Sequence, residues 1–422
     1  MNRYNVRFLR CSSEKVLRQE MRALGADPQG VQIMLPKARF SLIKVEGLGL
    51  AAATILKQEM LAKGGDAAIS GSIYLGQEHS TDALLMGTQR TLDRVVDVLY
   101  KQPLPSLQQL GKELAAALAA TGGQKTGSCR IGTREFAWGD RTFVMGILNA
   151  TPDSFSGDGL LTKEKELTSD AMEQAVDQAL AFVRDGADII DIGGESTRPG
   201  SQPVDARVEL HRVLPIIREL RKATQTPISI DTYKATVAEE ALDAGADMVN
   251  DVWGLRMDPD MAPLVAACDV PVVLMHNRSK PKNAEQQQRL GGRYVDITYK
   301  DLMGDILREL REQIDFALEA GIAPDKIIID PGIGFGKTVE QNLRLLNHVD
   351  ELRVLEFPLL IGPSRKSFIG YTLDLPPEER VEGTAAAVAL AITRGGADII
   401  RVHDVQAMAR VARMADAIVR GE

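Results

Sequence analysis

GADIIDIGGES, residues 186–196, decides the fold: a Gly-Ala-Asp opening, a short apolar run, then glycines and polar residues. The opening recurs in GADMVNDVWG (245–254) and GADIIRVHD (396–404), so one supersecondary unit is repeated along the chain. Five similar runs stand around these three: FVMGILNA (143–150), PISIDTY (227–233), PVVLMHN (271–277), KIIIDPG (326–332) and FPLLIGP (357–363). Strands of a parallel sheet are buried on both faces and read as nearly continuous apolar runs, as these do. Between them lie stretches of helical period such as AMEQAVDQALAFVRDG and TAAAVALAITRGG. Gly186, Gly245, Gly321 and Gly395 end several of these where a left-handed cap is expected. Eight strand-helix pairs over roughly 280 residues predict an α/β fold, the (β/α)₈ TIM barrel. An open doubly wound sheet is the alternative, because counting strands does not prove closure.

Residues 1–120 lack this pattern and predict a small α+β domain, with strands at 5–10, 31–35 and 39–45 and helices at 12–24, 50–63 and 89–100. Residues 121–130, rich in Gly, Thr and Ser, read as a linker, and 131–422 as the barrel. Charge divides in the same place. The whole chain of 422 residues carries −8, but residues 1–125 hold 16 Lys and Arg against 11 Asp and Glu, giving +5 and leaving −13 for the rest. The basic excess is scattered, which argues against a nucleic-acid binding module. Cys11, Cys129 and Cys268 are far apart and odd in number, so neither a disulfide framework nor a zinc site is expected. No apolar run approaches the ~18 residues of a membrane helix, and the N-terminus lacks the apolar core of a secretory signal. A cytoplasmic protein is the expectation.

In such barrels chemistry sits at the C-terminal ends of the strands. Here polar residues occupy every one: Asn149, then Glu195 to Arg198, Asp231, Asn250 and Asp251, His276 and Asn277, Asp330, Ser364 to Lys366, and Arg401, His403 and Asp404. One such residue reads as a helix cap; a set at all eight ends reads as a site. An aspartate inside an apolar strand carries a desolvation cost unless hydrogen bonds offset it, and a ligand with N–H donors would supply them. Asp231, Asn250, Asp330 and Lys366 suit a flat heterocycle with an NH-rich edge. Asn149, Thr197, Arg198, Arg401 and His403 suit a phosphate or pyrophosphate, since guanidiniums bind such groups bidentately. NATPDSFSGDG (149–159) and ESTRPGSQP (195–203) read as loops over that site.

The motifs NATPDSFSGDG, DIIDIGGESTRPGS, ISIDTYK, VNDV, IIIDPGIGFGK, SRKSFIG and IIRVHDV, in this order, resemble dihydropteroate synthase over about residues 143–410. The resemblance implies condensation of p-aminobenzoate with 6-hydroxymethyl-7,8-dihydropterin pyrophosphate, Mg²⁺ as cofactor, and a homodimer. It implies a pterin site of Asp231, Asn250, Asp330 and Lys366, and a pyrophosphate site of Asn149, Thr197, Arg198, Arg401 and His403. Asn149 would be the metal ligand, with Asp153 helping to order the metal. Phe155, Pro199 and Ser367 would take p-aminobenzoate. Asp330, Lys366, Arg198 and Asp153 would be the catalytic set. Ala150, the order SFSGDG and Pro363 depart from the usual pattern, as does the N-terminal domain, which lacks the Asp-x-Asp pair of a pyrophosphokinase. A pterin-dependent methyltransferase shares the barrel but needs no pyrophosphate site, so Thr197-Arg198 and Arg401-x-His403 favour the synthase.

Overall fold

The computed structural model describes residues 6–9, 14–122, 127–150, 169–196, 201, 203–280 and 283–420, and two compact units divide between Gln124 and Lys125. In the first unit a three-stranded antiparallel sheet runs in the order Phe40–Gly49, Ser80–Thr88, Asp66–Ile69. The alternation in Ser80–Thr88 places Thr81, Ala83, Leu85 and Gly87 inward, toward Leu56, Leu92, Leu99 and Leu107 of helices Leu50–Ala62, Gln89–Leu99 and Pro105–Gly122. Two expected strands are not found among the described residues. Residues 31–35 lie in helix Pro28–Ala38, started by Pro28 in its first turn and by Asp27, whose carboxylate accepts from Gly30 N. Val31 and Leu35, one helical turn apart, are its buried pair. Val6–Leu9 join no ladder, and Phe8 is fully exposed. Regular structure also enters the expected linker, since a helix reaches Gly122 and a strand begins at Ser128.

The second unit is the barrel. Its strands are β1 (Phe143–Asn149), β2 (Ile189–Gly193), β3 (Ile228–Asp231), β4 (Met248–Asp251), β5 (Val272–Met275), β6 (Ile327–Asp330), β7 (Leu360–Ile361) and β8 (Ile399–Val402). All pair in parallel in the order β6-β5-β4-β3-β2-β1-β8-β7. A parallel bridge between Ile329 and Leu359 joins the two ends, so the sheet closes and the open alternative falls. Helices α1 (Ser169–Asp185), α2 (Ala206–Ala223), α3 (Ala235–Asp243), α4 (Met261–Cys268), α5 (Leu302–Glu319), α6 (Val339–Asn347), α7 (Ser367–Leu373), α8 (Val381–Thr393) and α9 (Val405–Arg420) accompany the strands. Gly186, Gly245, Gly321 and Gly395 all take positive φ, as their cap positions require.

The recurrent Gly-Ala-Asp has a structural purpose. Asp188, Asp247 and Asp398 each accept the backbone N–H at or just before the start of the neighbouring strand, from Val144, Ile228 and Leu359. Each also binds an arginine: Arg141, Arg221 and Arg353 respectively. The same device therefore fixes strand register three times at the N-terminal rim. Inside that end, Met145, Ile189, Met248, Val273, Ile328, Leu360 and Ile399 form a layer closed from below by Cys129, Ile131, Phe136 and Trp138. These last four belong to a hairpin, Ser128–Ile131 with Arg134–Ala137. Burial pushes the Cys129 thiol up to about 12, an inert structural cysteine.

Candidate active site

Side chains on a strand alternate in direction, so the residues two places beyond that apolar layer point into the same interior. They include Asp191 on β2, Asn250 on β4, Asp330 on β6 and Arg401 on β8, and on β3 Asp231 follows Ser229 by the same spacing. A polar layer thus lies directly above an apolar one. Register aligns part of it across four adjacent strands, with Asn149 beside Gly193, Gly193 beside Asp231, and Asp231 beside Asn250.

Arg401 is the hub. Its Nε donates to Asp191 Oδ2 at 2.6 Å and its Nη2 to Asp231 Oδ2 at 2.5 Å. Burial opposes its charge, but the two carboxylates outweigh that and raise its pKa above the ordinary arginine value. Asn250 Nδ2 donates to the same Asp191 oxygen at 3.1 Å. Asp191, fully buried, was not singled out from the sequence. The available signal was its place in DIIDIGG, at inward parity within an apolar strand. The arrangement leaves Asp191 Oδ1, Asp231 Oδ1 and Ser229 Oγ buried with no partner among the described residues. Each such atom costs roughly 1–3 kcal/mol unless satisfied. They are acceptors and a hydroxyl turned toward the barrel interior.

Burial pushes the Asp231 carboxyl up to about 7, with Arg401 pulling the other way. Burial likewise raises Asp330 to about 6, opposed by the Gly332 N–H, which donates to its Oδ1 at 2.7 Å, and by Lys366. Lys366 Nζ lies 3.9 Å from the centre of the Phe335 ring. Lys366 is also the residue before α7, whose first residue is Ser367.

On the other side of the mouth, Asn149 Nδ2 approaches His403 Nε2 at 3.5 Å, and His403 Nδ1 lies 3.0 Å from Ser364 Oγ. His403 thus stands between Asn149 and Ser364, and the tautomer of its ring sets which of its nitrogens donates. The expected anion-binding set is thus divided. Asn149 and His403 come together, whereas Arg401 turns two of its three nitrogens to carboxylates. Asp153, Phe155, Thr197, Arg198 and Pro199 lie outside the described residues.

Several strand-end residues serve structure instead. Asp251 accepts from Trp253 N and Leu255 N, both at 2.8 Å, and shapes the turn after β4. Glu195 takes Lys234 Nζ at 2.5 Å and the Tyr233 hydroxyl at 3.0 Å. Asn277 bonds loop backbone at Val252 O and Ser279 N, and Asp404 holds Arg365.

Comparison with known proteins supplies the context. The pterin binding enzyme family matches residues 145–403. A dihydropteroate synthase of Clostridium beijerinckii is 47% identical over 291 residues, which are 69% of this chain and 99% of that protein. A probable bifunctional folylpolyglutamate synthase/dihydropteroate synthase of Halobacterium salinarum is 38% identical over 92% of this chain and 44% of its own length. That match extends past the barrel into the first unit. The solved dihydropteroate synthase of Xanthomonas albilineans in complex with 7,8-dihydropteroate superposes with a TM-score of 0.59 at 39% identity, over 69% of this chain and 98% of that one. The chain belongs to the dihydropteroate synthases, transferases of folate synthesis within the pterin binding enzymes.

Proposed function

We propose that the barrel joins p-aminobenzoate to 6-hydroxymethyl-7,8-dihydropterin pyrophosphate, giving 7,8-dihydropteroate and pyrophosphate. The observation that carries this reading is the buried layer of Asp231, Asn250 and Asp330, with Asp231 Oδ1 lacking a donor among the described residues. A pterin's NH-rich edge would satisfy that oxygen and Asp330, while Asn250 supplies both donor and acceptor and Lys366 an ammonium donor. Carboxylates beneath the ring also stabilise positive charge as the C–O bond to pyrophosphate ionises.

Arg198, Thr197 and His403 then receive the departing pyrophosphate, joined by Arg401 through Nη1, the nitrogen not turned to a carboxylate. The amine of p-aminobenzoate is neutral near pH 7, so attack needs position rather than a strong base. Phe155 and Pro199 would flank its ring, with its carboxylate at Ser367. Mg²⁺ takes oxygen ligands and often keeps waters and substrate phosphate oxygens in place of an all-protein cage. Asn149 Oδ1, which has no partner among the described residues, fits such a site, with Asp153 on the following loop. Bound there, the ion would offset charge on the leaving pyrophosphate.

Purified protein with Mg²⁺ and both substrates should yield dihydropteroate, and Arg198→Ala should remove most of it. Methyl transfer to a corrinoid protein without this turnover would overturn the reading. We read the working enzyme as a cytoplasmic homodimer. Exposed Met414 and Ile418, one turn apart on α9, supply apolar surface for an interface between barrels. Sedimentation of the whole chain and of a variant lacking residues 1–125, with activity measured on both, separates a barrel interface from a contribution of the first unit.

A further inference from the structure

We propose that Lys337 is a positioning residue for the pterin pocket, a buried strut that fixes the β6 turn and, through it, Asp330 and Lys366. The proposal rests on the pterin assignment above. Lys337 is only 2% exposed and touches no proposed ligand position. Its Nζ lies 3.0 Å from Gly332 O, 3.1 Å from Phe335 O and 3.0 Å from His276 Nδ1. Two of these partners are carbonyls of its own turn, and the third comes from the end of β5. One buried amine, its pKa pulled down to about 7 by burial, therefore binds the two faces of a loop and ties that loop to the neighbouring strand.

The turn needs such a tie, because its backbone passes unusually close to its neighbours. Gly332, Gly334 and Gly336 all have positive φ. A Cβ on Gly332 would stand 1.9 Å from His276 O, and one on Gly334 would stand 2.8 Å from Lys366 Cδ. Each end of the turn meets the pocket. Gly332 N donates to Asp330 Oδ1, and the Phe335 ring lies under the Lys366 ammonium. Fixing Gly332 O and Phe335 O thus fixes the donor to one pterin ligand and the platform of another.

The remaining charges around the strut are also placed to keep it. His276 Nε2 stands 3.0 Å from Glu309 Oε2, though poorly aligned for a hydrogen bond, and Arg278 pairs with the same carboxylate. With the ring proton on Nε2 facing Glu309, Nδ1 is left as an acceptor for Lys337. Nothing in the proposed reaction uses His276, Glu309 or Lys337 directly. Their common output is the shape of the β6 turn.

The test compares Lys337→Met, which keeps length and removes every donor, with Lys337→Gln, which keeps an NH₂ able to reach a carbonyl. Thermal melting, kcat and both KM values are measured. Loss of the buried hydrogen bonds at Nζ predicts a rise in the pterin KM of about 10- to 100-fold in the Met variant, with a smaller rise in the Gln variant. The p-aminobenzoate KM should stay within about twofold, and both variants should melt cooperatively. Equal rises in the two KM values, or no rise in either, would overturn the proposal, as would equal effects of Met and Gln. If the Met variant does not fold, the selective rise in the Gln variant decides. Lys366→Ala is the control: if it leaves the pterin KM unchanged, the pterin assignment itself fails. If it raises that KM and neither Lys337 variant does, the positioning role alone fails.

Discussion

The two ends of the barrel are built from the same strands and differ in chemistry within two residues. At the N-terminal end Ile189, Met248, Ile328 and Ile399 face inward and pack on the hairpin side chains Ile131 and Phe136. Two positions further along, the same strands present Asp191, Asn250, Asp330 and Arg401. The lower layer gains about 1.5–3 kcal/mol for each large apolar side chain removed from water. The upper layer gives much of that back, with buried carboxylates and orphaned oxygens. A fold carries such a cost where a ligand completes the hydrogen bonds, and the difference between the ends locates function without reference to any relative.

That contrast can be broken most severely at its hub. Arg401→Met leaves Asp191 and Asp231 buried without their cation. It should lower stability by about 3–5 kcal/mol in denaturant titration and abolish measurable turnover. Lys366→Ala acts on one end alone. Turnover should fall by about 10²–10³, with denaturation midpoints close to wild type.

Raised carboxyl pKa values give a sign that sharpens the comparison. Burial lifts Asp231 and Asp330 to about 7 and about 6 in the folded protein, from an ordinary aspartate value of 3.8. Their protonated forms are therefore favoured by folding, and the stability this supplies, greatest below about pH 4, is lost as pH rises toward 7. The slope is at most about 1.4 kcal/mol per pH unit for each group. Melting of the ligand-free protein between pH 4.5 and about 7 should fall less steeply in Asp231→Asn than in wild type. An unchanged slope would mean that Asp231 titrates as an ordinary carboxylate. The smallest effect belongs to the lower end, where Ile131→Val should cost about 1 kcal/mol and leave both KM values alone.

Legibility from sequence followed the same division. All eight barrel strands were readable because burial on both faces leaves a local apolar signature, and the four cap glycines because their positive φ is a local demand. Helix Pro28–Ala38 was misread because VQIML is nearly continuous in apolar residues, and such short runs do not separate strand from helix by period. Asp231, Asn250 and Asp330 stood out as polar residues closing apolar strands. Asp191 did not, since it lies mid-strand and matters through Asn250 and Arg401, which are 59 and 210 residues away in sequence.

The sequence by itself determined the repeating unit, the polar strand ends of the candidate site and, through its ordered motifs, the family. Tertiary structure alone decided closure, since the Ile329–Leu359 bridge joins strands that no local pattern links. It also decided that Arg401 is shared between two aspartates and that Lys337 is buried against His276. The reason is physical: alternation and capping act over a few residues, whereas desolvation and ion pairing depend on which side chains meet once the sheet has closed.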